Sequence, residues 1–483
     1  MSELDRRDFL KVAGVGAGAL LSGCATAPGF LKSGRSSANV VVIGAGAFGG
    51  WTALNLQRLG ARVTLVDMFG PGNSRATSGD ESRGVRSSYG DRPQGDQWMR
   101  WARVAMTKWK EWDEEYSKPL RMRVFFTTGD LIMRTGVENF TTTTKNWWDK
   151  NSIPHEVLTI DEVKKRWPAI QVNDIQVALF EPDAGVVRAR RSTEAVAEGF
   201  RYQGGKIVIA RVQRPEDSNF DGTAIALEDG TKIGADLFVF AVGPWLGKTF
   251  DLMKNRMRTP LGQVFYYGTP PGDQRFTYPN MPSWNFPGVT GWAALPNDNR
   301  GFRVRGGGGG GGAPGANAAN AANAANAANA ANAANAANAA GVANPPTSPA
   351  PTPSVPTAPP ANVQDPDLSS RWIDGDRLPR SREFLGTRFP DLKDMPLLAT
   401  HACHYESSSS RNFIIAPHPT LRNLWIAGGG NAEGFKFGPV IGEYAAKRVL
   451  GIDKDDEFAK QFRIPENEFD PNAGRRPGDG EEE

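Results

Sequence analysis

Three glycines and one acid near the start of the chain have the types and spacing that bind a dinucleotide. Gly44, Gly46 and Gly49 form a GxGxxG pattern in the stretch NVVVIGAGAFGG, and Asp67 ends the next apolar run. The glycines allow a tight turn and the close approach of a pyrophosphate to a helix N-terminus, while the acid accepts hydrogen bonds from a ribose diol. Because a carboxylate would repel a 2′-phosphate, the pattern predicts FAD or NAD and argues against NADP.

A thiol near the end of the chain is the second group that could do chemistry. The chain has two cysteines, Cys24 and Cys403, and Cys24 lies in a predicted leader, so a disulfide framework is ruled out. Cys403 is then either a small buried hydrophobic residue or a reactive thiol. Its type alone leaves both interpretations open.

The elements that must position these residues follow from the hydrophobic pattern. We predict a strand over residues 39–43, a helix that ends at Gly60, and a second strand that ends at Asp67. Another strand over residues 423–427 leads into a glycine triplet, and a helix begins near Gly438. This order predicts an α/β fold with a Rossmann-like cofactor domain.

Two other patterns predict local structure. The pair Asp229-Gly230 is typical of a hairpin turn. Four tryptophans recur at helical spacing and predict the packed face of a helix rather than a cation cage: Trp98, Trp101, Trp109 and Trp112.

Length and composition bound the class of protein. A chain of 483 residues with 39% hydrophobic residues can form two domains with separate cores. A net charge of +3 argues against a nucleic-acid partner, and with four histidines a metalloenzyme is not expected.

Residues 1–27 have the features of a removable leader, with a charged start, a short apolar run and a small-residue end. Arg6-Arg7 resembles a twin-arginine export signal, and the LSGC stretch that ends at Cys24 resembles a bacterial lipobox. The apolar run is too short to span a bilayer, which takes about 20 apolar residues. We expect export by the twin-arginine route and a periplasmic or cell-envelope lipoprotein anchored at Cys24. The alternative is an N-terminal helix of the mature protein.

Longer stretches connect these elements to a known family. The chain contains, in order, NSRATSGDESRGVRSSYG, TTGDLIM, IDEVKKRWPAI, ALFEPDAGVV, LFVFAVGPWLG and RNFIIAPHPTLRNLWIAGGGNAEGFKFGPVIGEYAAKRVLG. In type and order these stretches resemble the D-amino-acid oxidase (DAO) superfamily, most closely its monomeric sarcosine oxidase and N-methyltryptophan oxidase branch. The resemblance covers most of residues 39–455 and implies FAD rather than NAD.

The resemblance also implies which residues contact FAD. Cys403, Tyr405 and Phe413 have the spacing at which the sarcosine oxidase branch attaches its flavin through sulfur, so the resemblance implies a covalent bond at Cys403. The implied cofactor-binding residues are Gly44, Gly46, Gly49, Asp67, Val212, Gly243, Trp245, Cys403, Gly429, Gly430, Gly434, Phe435 and Lys436.

Four cationic residues are the implied catalytic set. Lys436 and Arg86 match residues that hold a substrate carboxylate, and Arg83 matches an arginine that faces the flavin, although the spacing before Arg83 is one residue longer than in the family. Arg303 stands where the family has a lysine that activates oxygen. Arginine keeps the charge but cannot release its proton, which puts oxygen reactivity in doubt.

Two other departures concern residues that the branch uses near the substrate. The active-site histidine and a tyrosine of that branch find no counterpart, and Glu433 stands where a histidine is usual. Trp292 is either an aromatic wall of the site or an ordinary core residue.

Two segments have compositions that cannot form a core. Residues 306–364 contain a glycine run, a repeat with asparagine at every third position and a proline-rich stretch, and we expect a solvent-exposed extension or an envelope-binding tether. Residues 456–483 are a C-terminal tail with an acidic end.

The expected architecture is that of a glutathione-reductase-like flavoprotein. Residues 38–120, 181–257 and 400–455 form the predicted FAD-binding domain. Residues 121–180, 258–305 and 365–399 form a predicted substrate domain with a mainly antiparallel sheet.

The expected function is oxidation of the C–N bond of an amino acid or N-alkyl amino acid to an imine, with hydride transfer to flavin N5. Oxygen or an envelope electron acceptor would take the electrons. One alternative is a flavin dehydrogenase for a hydroxy acid or another small acid. The other is a lipid-anchored envelope protein that keeps FAD for structure and acts through its low-complexity loop.

Overall fold

The computed structural model of the protein describes residues 38–297, 300–306, 365–373, 376–454 and 456–469. The predicted leader with Cys24, the extension from residue 307 to residue 364, and residues 470–483 lie outside the described residues. Within the described ranges, none of the helices is long and apolar enough to cross a membrane.

A six-stranded sheet forms the first layer of the fold. The pair at one edge is antiparallel and the other neighbours are parallel. In spatial order its strands are Ile414–Pro417, Leu424–Gly428, Leu237–Phe240, Asn39–Ile43, Arg62–Asp67 and Lys206–Ile209. The central strands are buried on both faces and consist of β-branched and other apolar residues, as parallel strands require.

Two helices cover the centre of this sheet and pack directly on each other. Ala47–Arg58 follows the first strand, and Gly438–Val449 follows the glycine triplet near the end of the chain. Their backbones come so close that a Cβ on Gly442 would overlap Trp51. The second helix begins at Gly438, which confirms its predicted start.

The remaining helices fill the space around the two sheets. Gly95–Leu120 is the predicted tryptophan-rich helix, and its four tryptophans are buried, which confirms their structural role. The other α-helices are Asn139–Lys150, Ile160–Arg166, Ala189–Tyr202, Leu246–Thr249, Arg377–Arg388 and Asp456–Gln461. Short 3-10 turns occur at Thr77–Gly79, Gly243–Trp245, Asp251–Met253, Gln274–Phe276, Pro390–Leu392 and Gly434–Phe437.

An eight-stranded sheet forms the second layer. Its neighbours are antiparallel except for the parallel pair formed by Ser283–Phe286 and Asp130–Arg134. In spatial order the strands are Leu397–His404, Leu261–Tyr267, Phe302–Gly306, Val289–Trp292, Ser283–Phe286, Asp130–Arg134, Val177–Glu181 and Glu156–Leu158. Its aromatic core includes Trp284, Phe302 and Phe389, packed with ring centres about 5 to 6 Å apart.

Three small sheets connect the layers. Arg83–Val85, Gly185–Val187 and Phe125–Thr127 form one of them. The predicted hairpin is confirmed as Ala224–Ala226 paired with Lys232–Gly234. Met257–Arg258 pairs with Ser407–Ser408.

The α/β fold class, with a Rossmann-like sheet and a mainly antiparallel second sheet, is confirmed. The division into domains at particular residues stays a prediction. One strand, Leu397–His404, runs across the predicted boundary at residue 400 and pairs with Leu261–Tyr267. Cys403 lies near the end of this strand, opposite Gly262.

Candidate active site

The glycine-rich turn lies between the first strand and the helix that follows it. Gly44 has φ +100°, and a Cβ on it would overlap the carbonyl oxygen of Ala241. A Cβ on Gly49 would overlap the carbonyl oxygen of Gly44, while Gly46 directly precedes the helix. Only glycine fits at positions 44 and 49, so the backbone has the tight form that a bound pyrophosphate needs.

Asp67 lies at the end of the second strand, as predicted, and its carboxylate shapes the turn. Oδ2 accepts a hydrogen bond from the N–H of Ala45 at 2.7 Å, and Oδ1 accepts from Phe69 and Gly70 at 2.8 and 2.7 Å. Burial raises the pKa of Asp67, and these backbone hydrogen bonds oppose the rise. A carboxylate has about four acceptor positions, so capacity for a ribose hydroxyl is left.

A cavity of about 260 Å³ opens beside this turn, at the carboxyl ends of the parallel strands. The predicted cofactor-binding residues in its wall are Gly44, Gly46, Asp67, Val212, Gly243, Trp245, Gly430, Gly434 and Phe435, and Arg83 joins them. The predicted residues Gly49, Gly429, Cys403 and Lys436 are not part of this wall. Position, glycine turn and lining together fit FAD, because ligands of such sheets bind at the carboxyl ends of the strands.

Glu406 is a buried acid in the same wall that sequence reasoning missed. Its Oε1 accepts a hydrogen bond from the N–H of Gly430 at 2.9 Å, and its Oε2 has no donor among the described residues. Burial raises the pKa of Glu406 to about 7, against the effect of the neighbouring backbone N–H groups of Gly430 and Gly429. An unsatisfied carboxyl oxygen facing the cavity suits a hydroxyl group of the cofactor.

Cys403 is buried close to the cavity wall, next to Arg83. The Nη2 of Arg83 donates to the sulfur at 3.7 Å. Burial raises the pKa of Cys403, but its interaction with His401 and the charges of Arg83 and Arg305 outweigh burial and lower the pKa to about 6. The sulfur is therefore a thiolate at neutral pH, which is the nucleophilic form.

Arg83 and Arg303 share one buried acid, Asp80. Arg83 makes a very short contact with Asp80, and the Nη2 of Arg303 donates to Asp80 Oδ2 at 3.3 Å. The hydroxyl of Tyr266 donates to Asp80 Oδ1 at 2.9 Å. Burial lowers the pKa of both arginines to about 10, so both stay charged at neutral pH. Two positive charges thus meet one negative charge.

Arg86 and Lys436 converge on a second buried acid, Glu433. The Nη2 of Arg86 donates to Glu433 Oε1 at 2.9 Å, and the hydroxyl of Tyr89 donates to Oε2 at 2.8 Å. Lys436 makes very short contacts with Glu433 Oε2 and with the Tyr89 hydroxyl. The backbone carbonyl of Lys436 accepts a hydrogen bond from Trp109 at 2.8 Å, which fixes the lysine's position.

A small cavity of about 30 Å³ separates the two clusters. Arg83, Ala432 and Phe435 belong to both its wall and that of the larger cavity, so the two adjoin. Among the described residues its charged lining is strongly cationic: Arg83, Arg86, Arg303, Arg305 and Lys436, with Glu433 as the acid. Trp292 also lines it, as an aromatic wall, with its indole N–H bonded to Ser82. The four predicted catalytic residues are thus brought together here.

Asp80, Tyr89, Tyr266 and Glu406 are further site residues that the sequence did not identify. Asp80 precedes Arg83 by three residues, and Tyr89 follows Arg86 by three, so both lie in the stretch GDESRGVRSSYG that carried the arginines. A polar residue three positions away from a predicted site arginine could therefore have been used to predict these two partners. Tyr266 lies in the strand Leu261–Tyr267 and Glu406 follows the strand Leu397–His404, and no local pattern marks either residue.

Comparison with known proteins agrees with this site. The family described as DAO, FAD dependent oxidoreductase, matches residues 39–448. Monomeric sarcosine oxidase of Streptomyces avermitilis is 24% identical over 85% of this chain and 93% of its own length. Monomeric sarcosine oxidase of a Bacillus species is 28% identical, but the match covers 46% of this chain and 55% of that protein. The crystal structure of a thermally stable fructosyl peptide oxidase mutant superposes with a TM-score of 0.69 at 19% identity, over 92% of this chain and 96% of that one.

The family match extends over most of the chain and includes both cavities. The glycine turn and the cavity at the strand ends fit an FAD-dependent oxidoreductase. The chain belongs to the DAO family of FAD-dependent oxidoreductases.

Proposed function

We propose that this enzyme oxidises the C–N bond of a small amino acid or N-substituted amino acid. The observation that carries the proposal is the cationic cavity next to the FAD cavity, because a cavity lined mainly by cationic side chains favours a substrate with a carboxylate. Both relatives described above are sarcosine oxidases by name, which supports the same substrate class.

The residues of the chain would bind and orient the substrate, and FAD would supply the redox chemistry. The chemistry that bound FAD would supply is uptake of a hydride from the carbon next to nitrogen, and the imine formed on the substrate would be hydrolysed by water. The cationic wall holds the substrate's carboxylate, and Trp292 confines it from the side. Orientation of this kind needs no general base, which is consistent with the missing histidine.

An anaerobic experiment tests this function. The purified holoprotein is mixed without oxygen with a panel of amino acids, N-methyl amino acids and hydroxy acids, and the flavin absorbance band is followed. We expect the band to bleach with at least one amine substrate. Bleaching by a hydroxy acid alone would replace the proposal with an alcohol dehydrogenation, and no bleaching by any of them would reject the enzymatic role.

A dehydrogenase rather than an oxidase is the second candidate, and Arg303 is the observation that favours it. Arg303 stands where the sarcosine oxidase branch has a lysine, and its guanidinium is charged and fully buried. The electron acceptor would then be a component of the cell envelope instead of oxygen. Repeating the reduction in air distinguishes the two, because an oxidase forms peroxide at the rate of substrate consumption.

We propose in addition that Cys403 bonds covalently to FAD. A C–S bond would form at a methyl carbon of the flavin ring and a C–H bond of that carbon would break; its proton and the electron pair would pass to the flavin ring, which the electron acceptor of turnover would then reoxidise. The lowered pKa of the thiol and its contact with Arg83, a residue of the FAD cavity's wall, support this attachment. Acid precipitation checks it: the pellet of the wild-type protein should stay yellow, and the pellet of Cys403→Ser should be colourless. Colourless pellets from both proteins would reject the bond.

We propose that the chain is exported by the twin-arginine route and anchored through Cys24. The support is the sequence of residues 1–27, which lie outside the described residues. Replacing Arg6-Arg7 by Lys-Lys should retain the protein in the cytoplasm, and Cys24→Ala should release it from the membrane fraction. Unchanged fractionation of either variant would contradict that part of the proposal.

A further inference from the structure

Glu433 already occupies the pair of cations that was predicted to hold the substrate's carboxylate. Both of its oxygens accept hydrogen bonds, Oε1 from Arg86 and Oε2 from Tyr89 and Lys436, and its side chain is 5% exposed. A second carboxylate at this pair would meet the charge of Glu433 in a buried place. Like charges in such an environment repel strongly.

Arg303, which also lines the small cavity, has donor groups that are still available. Its side chain is 1% exposed, and its guanidinium carbon lies 4.0 Å from the ring centre of Trp292. Its Nε and Nη1 are buried and have no hydrogen-bond acceptor among the described residues. Leaving buried donors of a charged group unsatisfied is costly, so they are suited to an anionic acceptor that enters the cavity.

The cluster around Asp80 can also accept a negative charge. Two arginines there, Arg83 and Arg303, share the one acid Asp80, so a carboxylate that enters the cavity beside Arg303 meets a cluster with net positive charge.

We propose that Arg303, rather than the pair of Arg86 and Lys436, binds the substrate's carboxylate, and that Glu433 determines this choice by holding the pair. The proposal rests on the proposed function and defines the substrate orientation within it. Arg303 then contacts the substrate directly, whereas Glu433 acts through Arg86 and Lys436.

Binding of a carboxylate that cannot be oxidised tests the proposal. Acetate is titrated into the holoprotein at pH 7, and the shift of the flavin absorbance spectrum gives its Kd; acetamide is the uncharged control of the same size. We expect acetate to bind and Arg303→Gln to weaken it at least about 10-fold, since hydrogen bonds to charged groups contribute about 1.5–3 kcal/mol. Arg303→Lys, which keeps the charge but loses the fork, should give a smaller loss.

The double variant Arg303→Gln/Glu433→Gln separates the two anion sites. Glutamine has nearly the shape of glutamate but no charge, so it should free Arg86 and Lys436 and restore acetate binding that Arg303→Gln alone has lost. Acetate binding that is absent from the wild type, unchanged in Arg303→Gln, or not restored in the double variant would overturn the proposal. Because binding is read without turnover, a wild type that binds acetate through Arg303 but is reduced by no amine would reject only the proposed function.

Discussion

Among single residues, Glu406 is an acid in the wall of the FAD cavity whose protonation changes near neutral pH. Its carboxyl group is buried between Gly428 and Gly430, and one of its oxygens is bonded to the N–H of Gly430. The ordinary glutamate pKa of 4.5 rises to about 7 here because burial disfavours the charged form. The unfolded chain releases this proton near pH 4.5, while the folded protein keeps it up to about pH 7.

This difference predicts how stability depends on pH. Between these two pKa values the folded state binds more protons than the unfolded state, so the contribution of Glu406 to the free energy of unfolding falls as pH rises and then levels off. Glu406→Gln removes the titration but can still accept from Gly430, so it should gain up to about 3 kcal/mol over wild type as pH rises from 5 to 8. Urea unfolding of both proteins measures the gap. A gap that does not change with pH would contradict the buried, protonated state.

Among the elements, the first turn of the helix Ala47–Arg58 contains two neighbouring glycines with different surroundings, Gly49 and Gly50. Gly49 touches the backbone of Gly44, whereas a Cβ on Gly50 would lie 3.6 Å from Val196, an ordinary contact distance. The two positions share one helix, so they form a matched pair.

We predict opposite effects of alanine at the two positions. Gly49→Ala should displace the turn, lower the free energy of unfolding by about 2 kcal/mol or more and reduce FAD content, because a methyl group has no space against a backbone carbonyl. Gly50→Ala should keep FAD and stabilise the helix by up to about 1 kcal/mol. FAD content and the urea midpoint measure both effects. Equal FAD content in the two variants would show that the close contact at Gly49 is not required.

The elements also show what can be predicted from sequence. The glycine turn, the tryptophan helix and the hairpin at Asp229-Gly230 depend on local patterns, and all three are confirmed. The bond between Arg86 and Glu433 joins residues 347 positions apart. The sequence indicated that Glu433 replaces the usual histidine. It did not indicate that Glu433 forms ion pairs with Arg86 and Lys436, because these contacts depend on side-chain positions in the folded site.

At the scale of the whole molecule, both sheets combine chain from before and after the extension of residues 307–364. Leu424–Gly428 pairs with Leu237–Phe240 in the parallel sheet, and Leu397–His404 pairs with Leu261–Tyr267 in the antiparallel sheet. After the extension, Asp365 and Asp367 form ion pairs with Lys248 at 2.9 and 2.7 Å. The two parts of the chain thus share two sheets and a surface contact.

We therefore predict that the chain can be divided at the extension. Co-expressed pieces of residues 28–306 and 365–483 should purify together with FAD, because the paired central strands bury large apolar surfaces between them. Ile426→Asp in the second piece is the matched control. It places a charge in the buried strand that pairs with Leu237–Phe240 of the first piece, so it should abolish association. Pieces that purify separately on size exclusion would contradict the prediction.

The wall of the FAD cavity has a consequence for biosynthesis. Gly44 comes from the start of the described chain, whereas Asp367, Ala427 and Gly434 come from beyond the extension. The cavity therefore cannot form before translation has passed Gly434. FAD can be enclosed only after that point, so any translocation of this protein together with its cofactor has to begin after Gly434 has been synthesised.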